Sequence, residues 1–437
     1  MPATTSGRGV KGLSRIYVEV YGCTANMADS EMISGLLVEA GHVVVDDPSL
    51  ADASVVLTCT VKTPTERKVV KRIRQLSSTG RPLVVAGCMP KAQGGLVAET
   101  VPEASMMGPD NLLDIVEVVE ATLRGERVEA VGGPAADKVC IPRVRRNPVV
   151  HLAPISSGCL GSCSYCIVRR ARGQLHSFPP DMIVSEATAA VEAGCREIWI
   201  TAEDTAAYQW GDIRLPGLLR MLNGVQGRFL IRVGMMTPNH ALSIIDDLIE
   251  AMQSEKVYKF LHVPVQSGND EVLRRMRRRY TVNDFREVVA KFREVFPLLS
   301  LSTDIICGFP GEDKGQFADS VGLVEDIQPD TLNISRFWPR PGTEAAKMGD
   351  QLHGRVTKRR SRELSTLWWR LSAERNRRWI GWEGEIVIDK EGKDKTMIGR
   401  NYAYKPIVVE AQLPLGVFIN VEVLGARKGY LVSKMTS

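Results

Sequence analysis

The chain has 437 residues, of which 44% are hydrophobic and 24% are charged. This composition is typical of globular domains and excludes collagen, low-complexity sequence and extensive disorder. Lys and Arg number 56 against 51 Asp and Glu, so the net charge of +5 does not by itself indicate a nucleic-acid partner. No run of about 18 apolar residues occurs, so we expect no transmembrane helix and no membrane partner.

The chain contains nine cysteines, and an odd number in so long a chain argues against a small disulfide scaffold. We therefore expect a reducing, cytoplasmic location, where clustered cysteines indicate metal binding or catalysis rather than disulfides. The first 14 residues lack the apolar core of a signal peptide and are expected to form a flexible tail.

The segment 15–135 alternates between apolar strands and helical patterns. The predicted strands are 15–20, 53–58 and 81–87, and the predicted helices are 26–40, 65–76 and 111–123. Such alternation predicts an N-terminal α/β domain with a parallel sheet and helices on its faces. Residues 136–150, which combine two prolines with three arginines, are expected to form a linker.

The segment 151–354 repeats the alternation six times. The predicted strands are 151–155, 197–201, 229–234, 260–265, 301–306 and 331–335, with helices between them, for example at 185–194 and 283–296. Six strand–helix units predict a partial (β/α)6 barrel. In barrels of this kind the reactive ends are the carboxyl ends of the strands.

The C-terminal part changes character. Residues 355–380 predict a basic helical connector. Residues 381–437 predict a small OB-like β-barrel, because they contain short β segments, at 385–392, 405–411 and 416–435, that are broken by glycines.

The excess positive charge lies in one segment. Residues 355–380 hold nine basic and two acidic side chains, while the three flanking parts of the chain are close to neutral. A charge run is usually a solvated face, but basic side chains with interleaved tryptophans also suit phosphates and exposed bases. We expect tRNA contact for Arg359, Arg360, Arg362, Arg375, Arg377 and Arg378. Most of the tryptophans at 368, 369, 379 and 382 are expected to pack in an interface. The run RRMRRRY (274–280) has the same two interpretations, a solvated face or tRNA contact.

Three cysteines follow the first predicted barrel strand with the spacing C-x3-C-x2-C, at Cys159, Cys163 and Cys166. Thiolates so close in sequence converge on one soft metal centre only from a loop, and two glycines in this loop supply the necessary freedom. A structural zinc site requires four ligands, whereas on a four-iron cubane three ligands leave one iron open to chelate a substrate such as S-adenosylmethionine (SAM). The alternative is a zinc knuckle that recruits His176.

Three further cysteines, Cys23, Cys59 and Cys88, each follow a predicted strand of the N-terminal domain. Because the carboxyl ends of parallel strands share one edge of a sheet, the three thiols can meet there and hold a second cluster. The alternative is that each is a buried small hydrophobe. The remaining cysteines, at 140, 195 and 307, show no comparable pattern and are expected to be structural.

The loop spacing, with Tyr165 before the third cysteine, resembles the signature of the radical SAM enzymes, whose common core is a six-stranded partial α/β barrel. Further segments resemble the methylthiotransferases, a branch of those enzymes with a second cluster. These segments are YGCTANMADSE (21–31), LTCTVKTPTERK (57–68), AGCMP (86–90), TAEDTAAY (201–208), HVPVQSG (262–268), DIICGFPGE (304–312) and FWPRPGTEA (337–345). The β tail resembles the TRAM domain, the RNA-binding barrel that ends these enzymes.

The resemblance implies two 4Fe-4S clusters, one on the loop cysteines and an auxiliary one on the strand-end cysteines, together with SAM. It implies that the reduced loop cluster cleaves SAM to methionine and a 5′-deoxyadenosyl radical, so that a methylthio group can replace hydrogen at an unactivated carbon. An electron donor such as flavodoxin or ferredoxin and a sulfur donor are expected partners.

The resemblance also suggests SAM contacts at the reactive end of the barrel. Glu203 and Asp204 can bind the amino group of SAM, with a helix N-cap by Asp204 or the following threonine as the alternative. Gln266 and Ser267 can face the ribose. Arg336 can meet a phosphate or the carboxylate of SAM, and an ordinary surface arginine is the alternative.

The sequence SGCLGSCSYCIVRRARGQLHSFP most resembles archaeal and eukaryotic members that act on N6-threonylcarbamoyladenosine at position 37 of tRNA and form its 2-methylthio derivative. Other members of the family act on isopentenyladenosine in tRNA or on a ribosomal protein, and the basic connector argues against the ribosomal protein. An alternative of another class is a non-enzymatic iron–sulfur protein that binds RNA or senses redox state. That alternative leaves an open-iron triad inside a barrel unexplained.

Overall fold

The computed structural model describes residues 13–436, which form two compact units. The N-terminal unit runs up to Ala136 and includes Ile141–Val144, and the second unit comprises Asp137–Cys140 and the chain from Arg145. The boundary falls inside the segment 136–150, where the sequence predicts a linker. The basic connector and the C-terminal β segment belong to the same unit as the barrel. Of the predicted flexible tail, 1–14, all but the last two residues lie outside the described part.

The N-terminal unit is built on six strands, which are β1 Arg15–Val20, β2 Val43–Val45, β3 Ala53–Thr58, β4 Leu83–Gly87, β5 Ser105–Met107 and β6 Glu129–Ala130. Its helices are α1 Thr24–Glu39, α2 Thr63–Ser77, α3 Cys88–Thr100 and α4 Ile115–Leu123, with 3-10 turns at Pro48–Leu50 and Pro109–Asp114. The strand order is β2-β1-β3-β4-β5-β6, and every neighbouring pair is parallel. The predicted parallel α/β fold is therefore confirmed for this unit.

The three predicted strands coincide with β1, β3 and β4, which lie side by side in the sheet. Strands β3 and β4 are buried along their whole length, as expected for parallel strands covered by helices on both faces. One face of α2 carries Val69, Ile73 and Leu76 at helical spacing, and these side chains pack with Val56 and Val85 of the sheet. This packing fixes the position of the loops that leave the carboxyl ends of the strands.

The second unit begins with ten short strands, which are β7 Val150–Pro154, β8 Ser156–Ser157, β9 His176–Ser177, β10 Glu197–Thr201, β11 Gln209–Trp210, β12 Ile213–Arg214, β13 Leu230–Val233, β14 Phe260–His262, β15 Ser300–Cys307 and β16 Thr331–Arg336. The helices among them are α5 Val168–Arg172, α6 Pro180–Glu192, α7 Leu215–Asn223, α8 Pro238–Leu242, α9 Ile245–Met252, α10 Asp270–Arg275, α11 Val282–Val295 and α12 Lys314–Ile327. Two 3-10 turns lie at Thr205–Ala207 and Ala345–Lys347.

Six of these strands correspond to the predicted barrel strands. They form two parallel groups, β13-β10-β7 and β14-β15-β16. An isolated parallel bridge pairs Ile231 of β13 with Val257, which lies shortly before β14 in the chain. The two parallel groups form the open α/β barrel that the sequence predicts. The helices α11 and α12 both begin with a capping box, which satisfies amide groups that a helix start leaves unpaired.

A long helix, α13 Gly354–Arg377, leads from the barrel to five strands, which are β17 Glu383–Glu391, β18 Met397–Arg400, β19 Pro406–Val409, β20 Phe418–Arg427 and β21 Tyr430–Met435. They close in the order β17-β18-β19-β21-β20. The predicted segment 416–435 is two strands rather than one, because the turn at Lys428 and Gly429 reverses the chain and Gly429 has φ +83°. No helix among residues 13–436 is both long and apolar enough to span a bilayer.

The C-terminal β-barrel contacts the amino ends of the α/β barrel strands. The Tyr404 ring packs against Trp199, Tyr258 and Phe260, with ring centroids 4.9–6.1 Å apart, and the amide of Lys259 donates to the Tyr402 carbonyl. These contacts lie near the first residues of β10 and β14. The cysteine loop leaves the carboxyl end of β7, so it lies at the other end of the α/β barrel from these contacts.

Candidate active site

The three cysteines of the 159–166 loop face one cavity of about 430 Å³ in the second unit. Gly161 lies between two of the sulfurs, because a Cβ atom there would be 3.3 Å from Cys159 Sγ and 3.6 Å from Cys163 Sγ. The Gly161 amide also donates to Cys159 Sγ over 3.2 Å. The loop therefore presents its thiols from a compact turn, as the C-x3-C-x2-C spacing predicts.

Burial shapes the chemistry of these thiols. It raises the pKa of Cys166 to about 12 and raises the pKa of Cys159 above its usual value. In the protein without a cluster both thiols therefore hold their protons at neutral pH, and binding of a metal centre must release them. A donor set of three thiols on one cavity fits a 4Fe-4S cluster with one open iron.

The zinc alternative receives no support from the geometry. Among residues 13–436, no three His, Cys, Asp or Glu side chains are grouped so that they could hold one metal ion. The proposed fourth ligand, His176, instead contacts Asp137, with 2.7 Å between Nε2 and Oδ1. A cubane cluster does not require its ligands to meet at one metal ion, since each thiolate binds a different iron.

Of the predicted SAM contacts, Asp204 shares a cavity with the cysteine loop. It lines this second cavity with Cys159 and Cys163 and is 3% exposed. The Asp204 carboxylate accepts from the Thr237 amide and hydroxyl and lies 2.7 Å from His240 Nδ1. Although it occupies an N-cap position, its side chain does not cap the following turn. The side chain instead anchors the loop after β13 beside the cysteines.

The other predicted SAM contacts have varied surroundings. Glu203 forms an ion pair of 3.3 Å with Arg172. Gln266 pairs through its backbone with β15 and has φ +71°. Arg336, at the end of β16, lies over the Trp338 ring at 4.7 Å.

Ser267 is fully buried, and its hydroxyl is 3.5 Å from Ser320 Oγ in α12. Its side chain joins the loop after β14 to a helix, and its contact with the ribose stays a prediction.

In the N-terminal unit, the loops that carry Cys23, Cys59 and Cys88 leave adjacent strands at one edge of the sheet. A Cβ atom on Gly22 would lie only 2.7 Å from the Cys59 Cβ, and Gly22 has φ +119°. Only glycine permits this close approach of the first loop to the second. Cys59 and Cys88 are nearly buried, whereas Cys23 is exposed.

Asn26 joins the three loops. Its side-chain amide donates to the carbonyl oxygens of Tyr21 and Thr58, over 2.7 and 2.9 Å. Its Oδ1 atom is 3.7 Å from the Cys88 sulfur, which donates to it. The sequence motif contains this asparagine three residues after Cys23, but its role became visible only in the fold.

The other three cysteines have surroundings of their own. Cys195 and Cys307 are buried, and Cys140 is exposed with its thiol 3.5 Å from the Met182 carbonyl.

The basic connector, helix α13, has one buried and one exposed face. The buried face of α13 includes Leu364, Leu367 and Leu371, and two of its arginines are buried with them. Arg360 pairs with Glu312 at 2.5 Å, and Arg375 pairs with Asp330 at 3.0 Å. We therefore correct the prediction that Arg360 and Arg375 contact RNA, because their charges are used inside the unit.

Four of the predicted RNA contacts, Arg359, Arg362, Arg377 and Arg378, remain on the exposed side of the helix. A groove of about 370 Å³ adds two basic side chains that the sequence did not single out, Arg370 and Lys428, and it places Trp369 beside them and Arg377. Trp369 is 38% exposed, whereas Trp379 is fully buried in the core of the β-barrel. Packing therefore accounts for Trp379, as expected, but leaves Trp369 accessible.

The run 274–280 is also not a uniform solvated face. Arg278 is partly buried and donates to the Cys163 sulfur over 3.0 Å. Runs of identical charges conceal such a residue, since nothing in the sequence distinguishes it from its exposed neighbours Arg277 and Arg279.

Family models match two parts of the chain. Residues 153–324 match the radical SAM superfamily, and residues 15–108 match an uncharacterized protein family named UPF0004.

A probable threonylcarbamoyladenosine tRNA methylthiotransferase from Pyrococcus abyssi is 43% identical over 97% of this chain and 100% of its own length. The chain belongs to this methylthiotransferase family. The threonylcarbamoyladenosine tRNA methylthiotransferase of Homo sapiens is 33% identical over 98% of this chain and 75% of its own length. The similarity thus extends through both compact units and the β-barrel.

Solved structures show the same fold at low identity. The radical SAM methyltransferase TsrM from Kitasatospora setae, with cobalamin and a 4Fe-4S cluster bound, has a TM-score of 0.56 at 14% identity, covering 76% of this chain and 77% of that one. The cobalamin-dependent radical SAM enzyme OxsB, with SAM bound, has a TM-score of 0.52 at 12% identity, covering 81% and 56%. The fold of this chain is therefore shared with these two structures.

Proposed function

We propose that this protein is a tRNA methylthiotransferase that converts N6-threonylcarbamoyladenosine at position 37 to 2-methylthio-N6-threonylcarbamoyladenosine. The observation that carries the proposal is the convergence of three loop cysteines on one cavity at the reactive end of a radical SAM barrel. Near full-length similarity to curated threonylcarbamoyladenosine tRNA methylthiotransferases supports the substrate.

In this proposal Cys159, Cys163 and Cys166 hold a 4Fe-4S cluster that leaves one iron open for SAM. The three cysteines of the N-terminal unit hold the auxiliary cluster. When bound and reduced, the loop cluster supplies the electron that makes SAM a source of radical chemistry. The protein's own contribution is to hold the thiols and to keep Asp204 beside them, where its carboxylate can orient the amino group of SAM.

Two further parts of the proposal concern partners. A reductant such as flavodoxin or ferredoxin must deliver the electron, and a donor must replace the sulfur that leaves with the product. These requirements fit a cytoplasmic location, where tRNA is available.

The number of clusters can be tested with two sets of cysteine variants. The full-length protein with Cys159, Cys163 and Cys166 changed to Ala should lose SAM cleavage and retain the iron of the auxiliary cluster. The protein with Cys23, Cys59 and Cys88 changed to Ala should retain SAM cleavage and the iron of the loop cluster, but should form no methylthio product. Cys195→Ala is the control. If the protein with Cys23, Cys59 and Cys88 changed to Ala keeps all of the iron of the parent protein, the auxiliary cluster does not exist.

The RNA substrate should bind along the exposed face of α13 and the adjoining groove, where basic side chains surround Trp369. Such a surface can pair with phosphates and stack on an unpaired base. Because this surface adjoins the C-terminal β-barrel and the cysteine loop lies at the other end of the α/β barrel, the tRNA must extend along the second unit.

The decisive test is nucleoside mass spectrometry of tRNA from a strain that lacks this protein. We expect the 2-methylthio form to disappear and N6-threonylcarbamoyladenosine to accumulate, with restoration by the wild-type chain and none by the loop-cysteine variant. Unchanged methylthio nucleosides would exclude a tRNA substrate. Loss of a methylthio isopentenyladenosine instead would identify the other tRNA substrate class.

A further inference from the structure

The turn after α10 carries a cation that contacts the cysteine loop. Arg278 Nη1 donates to Cys163 Sγ over 3.0 Å, and Arg278 Nε donates to the Tyr280 hydroxyl over 2.7 Å. The guanidinium also lies over the Tyr280 ring, 4.8 Å from its centroid. The buried Tyr280 hydroxyl in turn lies 3.0–3.1 Å from the Pro264 and Val265 carbonyls, which share its one proton as acceptors. The guanidinium is therefore held in one orientation, directed at a sulfur.

The backbone on either side is held as well. The Ser164 amide donates to the Met276 carbonyl over 3.1 Å, and the Ser164 hydroxyl donates to the Arg275 carbonyl over 2.8 Å. Arg277 then adopts φ +57°, a left-handed conformation that is uncommon for residues other than glycine. The turn and the cysteine loop are thus joined next to Cys163, and the contact made by Arg278 is part of that joint.

Two other arginines of the same run, Arg277 and Arg279, also line cavities with the loop cysteines, so the direct bond to a sulfur is what distinguishes Arg278. Arg274 is exposed on α10 and pairs with Glu271 three residues earlier, and Arg277 is exposed and pairs with Glu344. Arg278 is the member of the run that donates to a loop sulfur. The run therefore contains one cation that bonds to a thiol of the loop, beside others that line the cavity or pair with surface carboxylates.

We propose that Arg278 is a positioning residue that raises the reduction potential of the loop cluster. A cluster that accepts one electron gains one negative charge, and a charged donor on a ligand sulfur stabilises the reduced form more than the oxidised form. The electron comes from an external reductant, the Arg278 contact stays intact, and no proton moves. This inference rests on the proposed loop cluster.

The test uses the full-length protein with Cys23, Cys59 and Cys88 changed to Ala, so that the loop cluster is the one measured. After anaerobic reconstitution, the midpoint potential is determined by redox titration followed by electron paramagnetic resonance. Arg278→Gln should shift the potential to more negative values than in the parent, and Arg278→Lys, which keeps the charge, should shift it less. The matched control Arg274→Gln removes the same charge from the surface and should leave the potential unchanged.

The outcomes distinguish the two proposals. A parent that binds no iron overturns the loop cluster and this inference together. An iron-loaded Arg278→Gln protein with the potential of the parent overturns the role of Arg278 and leaves the proposed function intact. If Arg278→Gln assembles no cluster, Tyr280→Phe decides, because it removes the hydroxyl that orients the guanidinium while keeping the charge. A more negative potential in that variant supports the proposal, and the potential of the parent refutes it.

Discussion

Asn26 illustrates how one buried amide can organise cysteines that come from three different strands. Its donor group binds carbonyl oxygens near the first two cysteines, and its acceptor oxygen receives the thiol of the third. Leaving a buried carbonyl without its hydrogen-bond donor destabilises the folded state by about 1–3 kcal/mol. The side chain therefore stabilises the arrangement of the site before any cluster is bound.

We expect Asn26→Ala to reduce the iron bound by Cys23, Cys59 and Cys88. The measurement is iron and sulfide content in the full-length protein whose loop cysteines are changed to Ala, so that only the N-terminal cluster can contribute. Asn111→Ala is the matched control, since Asn111 lies in the same unit and bonds to Asp114. Equal iron in the two variants would contradict the role given to Asn26.

Glu197 is a second residue whose environment has a measurable consequence. The carboxyl is buried at the start of β10 and accepts from the Tyr258 hydroxyl over 2.8 Å and from the Trp199 ring nitrogen. Burial, followed by the nearby charge of Asp389, raises its pKa from 4.5 to about 7. The folded protein therefore keeps this proton at a pH where the unfolded chain has lost it.

The pH dependence has a definite sign. Between about pH 4.5 and 7 the unfolded state binds fewer protons at this site than the folded state, so the free energy of unfolding falls as pH rises. The total effect is up to about 3 kcal/mol. Urea unfolding should show that Glu197→Gln raises the free energy of unfolding relative to wild type, and that this gain is larger at pH 7.5 than at pH 5.5. A difference between the two proteins that does not change with pH would contradict this prediction.

At the scale of elements, α13 has two chemically different faces. Leu364, Leu367 and Leu371 recur at helical spacing on the buried face, which is the pattern of an amphipathic helix packed on a core. The sequence shows this period, yet the positive charges obscure it because arginines occur on both faces. Only the partners Glu312 and Asp330 show which arginines belong inside.

We expect the exposed face of α13 to carry the electrostatic part of tRNA binding. Changing Arg359, Arg362 and Arg377 together to Gln should weaken binding and reduce the slope of log affinity against log salt by roughly 2–3, because fewer counterions are released. Fluorescence anisotropy with labelled tRNA at several salt concentrations measures both quantities.

The matched control is the triple change of Arg220, Arg274 and Arg286 to Gln. These arginines are exposed on other helices of the same unit and pair with acidic neighbours. An equal loss of slope in the control would show that net charge, rather than the helix face, governs binding.

At the scale of the whole molecule, Asp330 joins three parts of the second unit. Its carboxylate accepts from the Leu301 amide in β15, from Arg375 in α13 and from Lys405 in the C-terminal β-barrel, over 2.7–3.0 Å. Burial opposes the charge, but Lys405 and Arg375 more than offset it and lower the pKa of Asp330 to about 2. The three elements therefore share one buried anion.

We expect Asp330→Asn to lower the free energy of unfolding of the second unit by about 3 kcal/mol or more, because it leaves two buried cations without their partner. Asp326→Asn, which removes an exposed partner of Arg286, should cost less than about 1 kcal/mol. Denaturant unfolding at neutral pH compares them. Similar losses in the two variants would contradict the central role of Asp330.

The same carboxylate predicts an acid-sensitive interface. Its depressed pKa contributes stability that is present above about pH 4 and is lost as pH falls toward 2. The Asp330→Asn protein should therefore lose less of its remaining stability over that range than the wild-type protein does.

Much of this protein follows from sequence periodicity and spacing. The alternation of apolar strands with helices predicts both α/β parts, and β1, β3 and β10 coincide with their predicted ranges. Local patterns determine these features because the strands are short segments rich in apolar and β-branched residues. The cysteine spacing likewise predicts the loop site, since ligands within eight residues of one another need no distant element to bring them together.

Tertiary structure decided what depends on partners distant in sequence. It placed Arg360 and Arg375 inside and Arg359 and Arg377 outside, and it directed Arg278 to a cysteine more than a hundred residues away. An arginine in a charge run has the same sequence signature in each environment, and only a buried carboxylate or sulfur beside it determines its role. The sequence by itself therefore determined the folds and the grouping of the thiols, whereas three-dimensional packing decided which charged side chains lie beside them.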